Sequence, residues 1–287
     1  MIIRREKGKI MKLVKEAIHY RCEDTGRYKG AGIGVAVMDT GISMHPDFGN
    51  RIVGFVDVIQ GKSHPYDDCG HGTHVAGILA GDGAVSAGVY SGIAPEANLI
   101  VCKVLDKEGN GTVKQVVNGI RWIGAHYKEY GIRIVNISVG SKPDISAKSA
   151  AALVEGAEYL WDLGMVVVVS AGNYGPSRGS VAVPGVSKKI ITVGAFDRDE
   201  QMKYSGRGPT RECVVKPDIF APGTGIISCR GSGYGIKSGT SMATPVVSGA
   251  VAVLLSKYPQ VSNVEAKLRL RSSATENRVI HIENLLK

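Results

Sequence analysis

Five uniformly apolar, β-branched runs recur along the chain, each closed by Gly, Asp or Ser: Ile33–Met38, Asn98–Leu105, Ile132–Val139, Met165–Ser170 and Ile190–Ala195. A strand that is apolar at every position, rather than at alternate ones, has both of its faces covered. That is the pattern of a parallel sheet packed between helices. Between the runs, apolar positions fall at helical spacing and predict helices over Gly72–Ala80, Thr112–Tyr130, Ile145–Leu163, Thr240–Tyr258 and Val261–Ser273. Strand–helix alternation of this kind predicts an α/β fold: a doubly wound, mostly parallel sheet with helices on both faces, its chemistry gathered at the carboxyl ends of the strands. Residues 1–30 precede the pattern and read as an N-terminal extension, and 31–287 as one domain, in line with a length of 287 residues.

Composition narrows the reading. Hydrophobic residues make up 44% of the chain, enough for a sizeable core, and the 38 Gly imply many tight turns or close approaches. No apolar run reaches the length of a bilayer span, so no membrane role is expected. The formal net charge of +9 is spread among interleaved acids without a nucleic-acid motif, which favours a solvated basic surface over nucleic-acid binding. The first residues, Met-Ile-Ile-Arg-Arg-Glu-Lys, lead into a charged amphipathic stretch rather than the apolar middle of a secretory signal. Five Cys with irregular spacing read as free thiols in a reducing compartment. The expectation is a cytoplasmic protein, or a secreted one whose leader was removed before residue 1.

Four short motifs carry candidate chemistry. Asp39 ends the first run and precedes Thr40-Gly41. It reads either as an Asx-turn closing the strand or as a carboxylate aimed into a cleft. His71 opens Gly70-His71-Gly72-Thr73-His74. Two His at i and i+3 also suggest a metal site, but zinc hydrolases usually space the pair i,i+4 around a Glu that is missing here. His74 reads as a structural helix residue. Ser241 stands in Gly239-Thr240-Ser241-Met242-Ala243-Thr244-Pro245, at the start of a long apolar helix. The same position suits an N-cap and a nucleophile, because the free N–H groups of a helix start favour negative charge. Asn173 closes a strand in Ser170-Ala171-Gly172-Asn173, either as a turn residue or as an amide placed at an oxyanion.

Taken in chain order, these motifs resemble those of the subtilisin-like serine proteases (peptidase family S8) from about Gly32 to at least Ala274. His64-Pro65-Tyr66-Asp67-Asp68, Ala94-Pro95-Glu96-Ala97 and Lys103-Val104-Leu105-Asp106 look like the bacterial intracellular AprX-type branch. The resemblance implies a serine endopeptidase with Asp39, His71 and Ser241 as catalytic triad, and Asn173 with the Ser241 N–H as oxyanion hole. It implies polypeptide substrates that add as a strand against Ser138-Val139-Gly140 and Gly109-Asn110-Gly111. The primary specificity pocket is implied between Ser138–Gly140 and Ala171–Gly172, with its floor near Ala182, and its small apolar lining favours an uncharged side chain of medium or large size. Competing readings are a catalytically silent peptide-binding protein on the same scaffold and a metal-dependent hydrolase built on His71 and His74.

The chain also departs from the family. Secreted relatives carry a calcium-binding loop after the His helix. Here that stretch, Gly81 to Ser91, offers one carboxylate, Asp82, and Asp47 resembles another ligand of the site without companions. Calcium wants six to eight oxygens, so no required cofactor, no metal and no strong calcium site are expected. Cys69 reads as a small buried thiol, or alternatively as a thiol close enough to the cleft for oxidation to block activity. Gly206, where the family often has Ser, reads as a neutral surface change. Residues 1–30 are too few for a folding pro-domain and are expected, at most, to lie across the cleft as an inhibitory segment.

Overall fold

The computed structural model describes residues 12–20, 23–197 and 200–287. Its strands are β1 (Gly34–Asp39), β2 (Ile52–Asp57), β3 (Asn98–Lys103), β4 (Ile132–Ile137), β5 (Val166–Ser170), β6 (Ile191–Asp197), β7 (Glu200–Gln201), β8 (Ile219–Pro222), β9 (Ile226–Arg230) and β10 (Gly233–Lys237). The helices are α1 (residues 12–17), α2 (Glu23–Arg27), α3 (His71–Ala80), α4 (Val113–His126), α5 (Ala147–Asp162), α6 (Thr240–Lys257), α7 (Asn263–Ser273) and α8 (Ile282–Leu285).

The main sheet runs β2-β3-β1-β4-β5-β6, with β8 parallel to β6 on its far side and the short β7 antiparallel to it. All other pairings are parallel. The expected three-layer α/β sheet is therefore present, and each of the five apolar runs is one of its strands. β1 and β5 are buried at every position, which is why their sequences do not alternate. Helices α3 and α6 pack together on one face, and α4 and α5 pack together on the other. From β1 the chain crosses to the edge strand β2, comes back to β3 between β2 and β1, then passes to β4 on the opposite side of β1. The strand order thus reverses between β1 and β4, and a crevice opens there at the carboxyl ends.

Helix α6 is long and apolar enough to cross a bilayer by length and composition, contrary to the expectation that no segment is. Its share buried inside the protein, 83%, marks it instead as the central core helix. The small antiparallel sheet of β9 and β10 covers the α3 side.

The described part of the N-terminal extension does not lie in the crevice. Val14 and Ile18 insert into the core, Ile18 O accepts the Ile282 N–H at 2.9 Å, and Tyr20 Oη donates to Ile93 O at 2.8 Å. Asp24 pairs with Lys257 Nζ at 2.9 Å and Gly30 N donates to Ser256 Oγ at 3.2 Å. These contacts grip the last turn of α6, while Ser241 stands in its first. At 1.5 Å per residue the two ends are roughly 24 Å apart. The expectation of a segment across the cleft fails for residues 12–20 and 23–30; residues 1–11 lie outside the described residues.

Candidate active site

Asp39 is the last residue of β1, flanked on both sides by hydrogen-bonded strands, and its side chain has no solvent exposure. Its Oδ1 accepts the Thr40 N–H at 2.7 Å and lies 2.7 Å from His71 Nδ1. His71 is the first residue of α3. The helix can start this close to the strand end because the next residue is Gly72. A Cβ there would fall 2.2 Å from Gly41 O and 3.1 Å from Asp39 Cβ. The loop before His71 is organised by Asp67, whose carboxylate accepts from Thr40 Oγ1 at 2.8 Å, Gly70 N at 2.7 Å and Thr73 N at 2.8 Å. Burial pushes the Asp67 carboxyl up, but these donors hold it below the ordinary carboxylate value.

The electrostatics of the two imidazoles on α3 are opposite. Burial pulls the His71 imidazolium down, yet the charge of Asp39 and its hydrogen bond outweigh this, so His71 titrates above its ordinary value. Lys237, on the far wall, opposes that rise. His74 is driven down to about 3, first by burial. Its Nε2 lies 3.1 Å from both Ile226 O and Gly235 O, so a neutral ring donates one N–H to β9 and β10. That is the structural role expected of it, and it removes Nε2 from any metal shared with His71.

Ser241 sits in the first turn of α6. Its Oγ donates to Ser138 O at 2.9 Å, and Ser138 Oγ returns a bond to Ser241 O at 3.1 Å. The hydroxyl thus rests on the carbonyl just past the end of β4, and must swing from it to reach His71. Behind it, Asn136 joins Ser138 at 2.9 Å and Ser248 at 2.9 Å, a buried polar chain that pins α6 to β4. Asn173 Oδ1 accepts both the N–H and the hydroxyl of Thr240 at 3.0 Å. With the oxygen so engaged, the amide N–H₂ is the end left to donate. Gly239, with φ +148°, leaves room for it: an added Cβ would stand 3.1 Å from Asn173 Nδ2.

His71, Ser241 and Asn173 line one cleft of about 510 Å³. Ser138, Val139 and Gly140, Gly109, Asn110 and Gly111, and Gly172 all line this cleft. Ala171 does not. Along the strand end, Ser170 and Gly172 face the cleft, and the residue between them points the other way into the core. Ala182 packs behind the walls: a Cβ on Gly172 would meet its Cβ at 2.5 Å, and one on Gly140 at 3.0 Å. Gly206 is not a surface position. It is buried against that wall, and a Cβ there would lie 2.2 Å from Ala171 O. Cys69 is half-buried and lines the cleft that His71 also lines. Lys237, Glu108 and Tyr174 also border the cleft. They lie in loops or at a hairpin end, where the sequence offers no periodic signal.

The oxygens near the loop after α3 face a cation already. Arg51 extends its guanidinium to Ala80 O, Ala97 O and Asp47 O, with Asp82 Oδ2 at 3.7 Å. Burial pulls its pKa down while Asp82 and Asp47 oppose the fall. The Asp47 carboxylate turns elsewhere, accepting from Val85 N at 2.9 Å and Tyr234 Oη at 2.7 Å. Calcium does not fit a site whose oxygens converge on a fixed positive charge. The donors His45, Asp47 and Cys229 also lie close together, but the Asp47 carboxylate is already engaged by hydrogen bonds and burial holds the Cys229 thiol protonated.

Residues 30–286 match the family model described as the subtilase family. Serine protease AprX of Bacillus subtilis (strain 168) is 44% identical over 85% of this chain, and a subtilisin of Bacillus sp. (strain TA39) is 33% identical over 92%. The chain spans 61% and 66% of the lengths of these two relatives. Subtilisin Savinase of Lederbergia lenta is 37% identical, with 86% of this chain and 84% of the relative covered. Among solved structures, S41 psychrophilic protease superposes with a TM-score of 0.78 at 32% identity, covering 88% of this chain and 86% of that one. With Asp39, His71 and Ser241 in this chain order, the parallel sheet and the family match together, the chain belongs to the subtilase family.

Proposed function

We propose that the chain is a serine endopeptidase that cleaves polypeptides through an acyl-enzyme on Ser241. The observation that carries this reading is the 2.7 Å pair of Asp39 and His71 opening on the cleft that Ser241 and Asn173 share. In this mechanism His71 Nε2 takes the Ser241 proton as Oγ attacks the scissile carbonyl carbon, then gives it to the leaving amine. Asp39 holds the Nδ1–H tautomer and stabilises the imidazolium. The tetrahedral oxyanion is bound by Asn173 Nδ2 and the Ser241 N–H, which the α6 dipole reinforces. Water then repeats the sequence on the acyl-enzyme, with His71 again taking and returning the proton, and releases the acid. An extended substrate would add to the backbone at Ser138–Gly140 and at Gly109–Gly111. A cytoplasmic setting is part of this reading, since Cys69, Cys102, Cys213 and Cys229 are free thiols.

Phenylmethylsulfonyl fluoride should add one sulfonyl group to Ser241, seen by mass spectrometry, and none to the Ser241→Ala variant. Labelling elsewhere, or turnover by that variant, would sink the assignment. Asn173→Ala should lower kcat by about 10²–10³-fold with KM little changed, a size established for subtilisin itself rather than obtained from this chain.

The glycine-lined pocket supports an uncharged side chain of medium or large size before the scissile bond. A peptide-library cleavage profile led by Lys, Arg or Asp would contradict it.

Because Asp39 raises the pKa of His71, the acid limb of kcat/KM should lie above pH 6.5, the ordinary imidazole value. The active form is the unprotonated ring, so activity falls as pH drops through that limb. A limb below pH 6 in the native protein would mean that burial outweighs Asp39.

No divalent cation is needed at the loop after α3, where Arg51 supplies the charge. Adding a chelator should leave Tm unchanged, whereas Arg51→Ala should lower stability by about 2–4 kcal/mol in chemical denaturation.

A further inference from the structure

The register of the sheet sets Lys103, the last residue of β3, directly beside Asp39. Lys103 has no solvent exposure, so its ammonium must be satisfied from within. Its three protons meet three acceptors: Thr40 O at 2.6 Å, Asp68 Oδ1 at 2.7 Å and Leu105 O at 3.0 Å. The acceptors belong to three separate segments. Thr40 follows Asp39, Asp68 lies on the loop that leads into His71, and Leu105 borders the cleft. The same nitrogen stands 4.8 Å from the centre of the Tyr66 ring, on that loop.

We propose that Lys103 is a positioning residue for the peptidase reaction: its buried ammonium braces the strand end carrying Asp39 against the loop delivering His71, and so holds their hydrogen bond in register. The proposal rests on the triad assignment above and adds a residue to its support.

The physical case is one of competing costs. Asp39 and His71 come from different elements, 32 residues apart in the chain, and must stay at hydrogen-bond distance. The loop before His71 is half-exposed over much of 62–69 and has little apolar anchoring of its own. Asp67 ties it to Thr40 and Thr73 with neutral donors. Lys103 adds an ion pair with Asp68, and the charge makes it directional: a buried ammonium left without Asp68 would draw water or tilt toward the remaining carbonyls. Either movement shifts Thr40, and with it the Asp39 carboxylate whose Oδ1 is fixed by the Thr40 N–H. Misplacement of a catalytic pair by a fraction of an ångström is enough to slow proton transfer.

Asp68 is the variant of choice, because its side chain is 34% exposed and its loss leaves the core intact. Peptide-anilide turnover would be measured for Asp68→Asn, Asp68→Glu and Lys103→Met, each normalised to the fraction of Ser241 titrated by phenylmethylsulfonyl fluoride. For Asp68→Asn the expected result is a kcat lower by roughly 5–20-fold per titrated site, with KM within about twofold. The acid limb should move to lower pH, because a loosened Asp39 bond leaves burial to dominate at His71. Asp68→Glu should recover most of the kcat, and Lys103→Met, if it folds, should reproduce or exceed the Asp68→Asn loss. Unchanged kcat per titrated site and an unchanged acid limb in Asp68→Asn, even with a lower Tm, would overturn the proposal and leave Lys103 a structural support only. Failure of the parent protein to label at Ser241 would instead strike the triad assignment.

Discussion

A carboxylate sealed from water has to be held by donors supplied from within, and Asp39 is such a group. It lies at the end of the strand that has β3 on one side and β4 on the other, so its backbone has almost no freedom. Its oxygen then has two claimants, a backbone N–H and the imidazole of His71. Much of the nearby architecture serves that second bond. Gly72 lets α3 begin against the strand end, Asp67 folds the approaching loop, and β3 contributes a neighbouring ammonium. The reversal of strand order between β1 and β4 then supplies the crevice, and α6 brings Ser241 to its floor.

The two histidines of α3 illustrate how position, rather than residue type, sets chemistry. They are one helical turn apart on the same element. His71 faces an anion and its proton affinity rises. His74 meets the carbonyls of Ile226 and Gly235 and, among the described residues, no carboxylate, and burial keeps its ring neutral to strongly acidic pH. The sequence distance between an imidazole paired with a carboxylate and an inert strut is three residues.

What could be read from the chain alone follows the range of the forces involved. The buried parallel strands were legible because covering both faces writes an unbroken apolar run. That Asp39, His71, Ser241 and Asn173 come together was legible because each sits in a motif whose small neighbours permit the approach. Ile52–Asp57 was not read as a strand, since it is half-covered at the sheet edge and interrupted by Gly54. The hairpin of β9 and β10 is short and rich in Gly, and its stability comes from α3 and His74 rather than from its own pattern. Ala171 was misplaced by treating a segment as a unit where alternation assigns its members to opposite sides. Gly206 looked like a surface change because its collision partner, Ala171 O, is distant in sequence. Arg51 and Lys103 were silent for the same reason: what a long cationic side chain reaches is decided by the fold.

Part of the cleft wall is bare backbone at Gly140 and Gly172. Gly140 and Gly172 leave no space for a β-carbon before Ala182, and Gly206 seals the layer beneath. Natural drift or directed evolution therefore has little room to add a side chain at these glycines, since each would collide with Ala182. Glu108, Tyr174 and Lys237 line the same cleft with full side chains, so variation there alters its surface without adding atoms at the packed glycines.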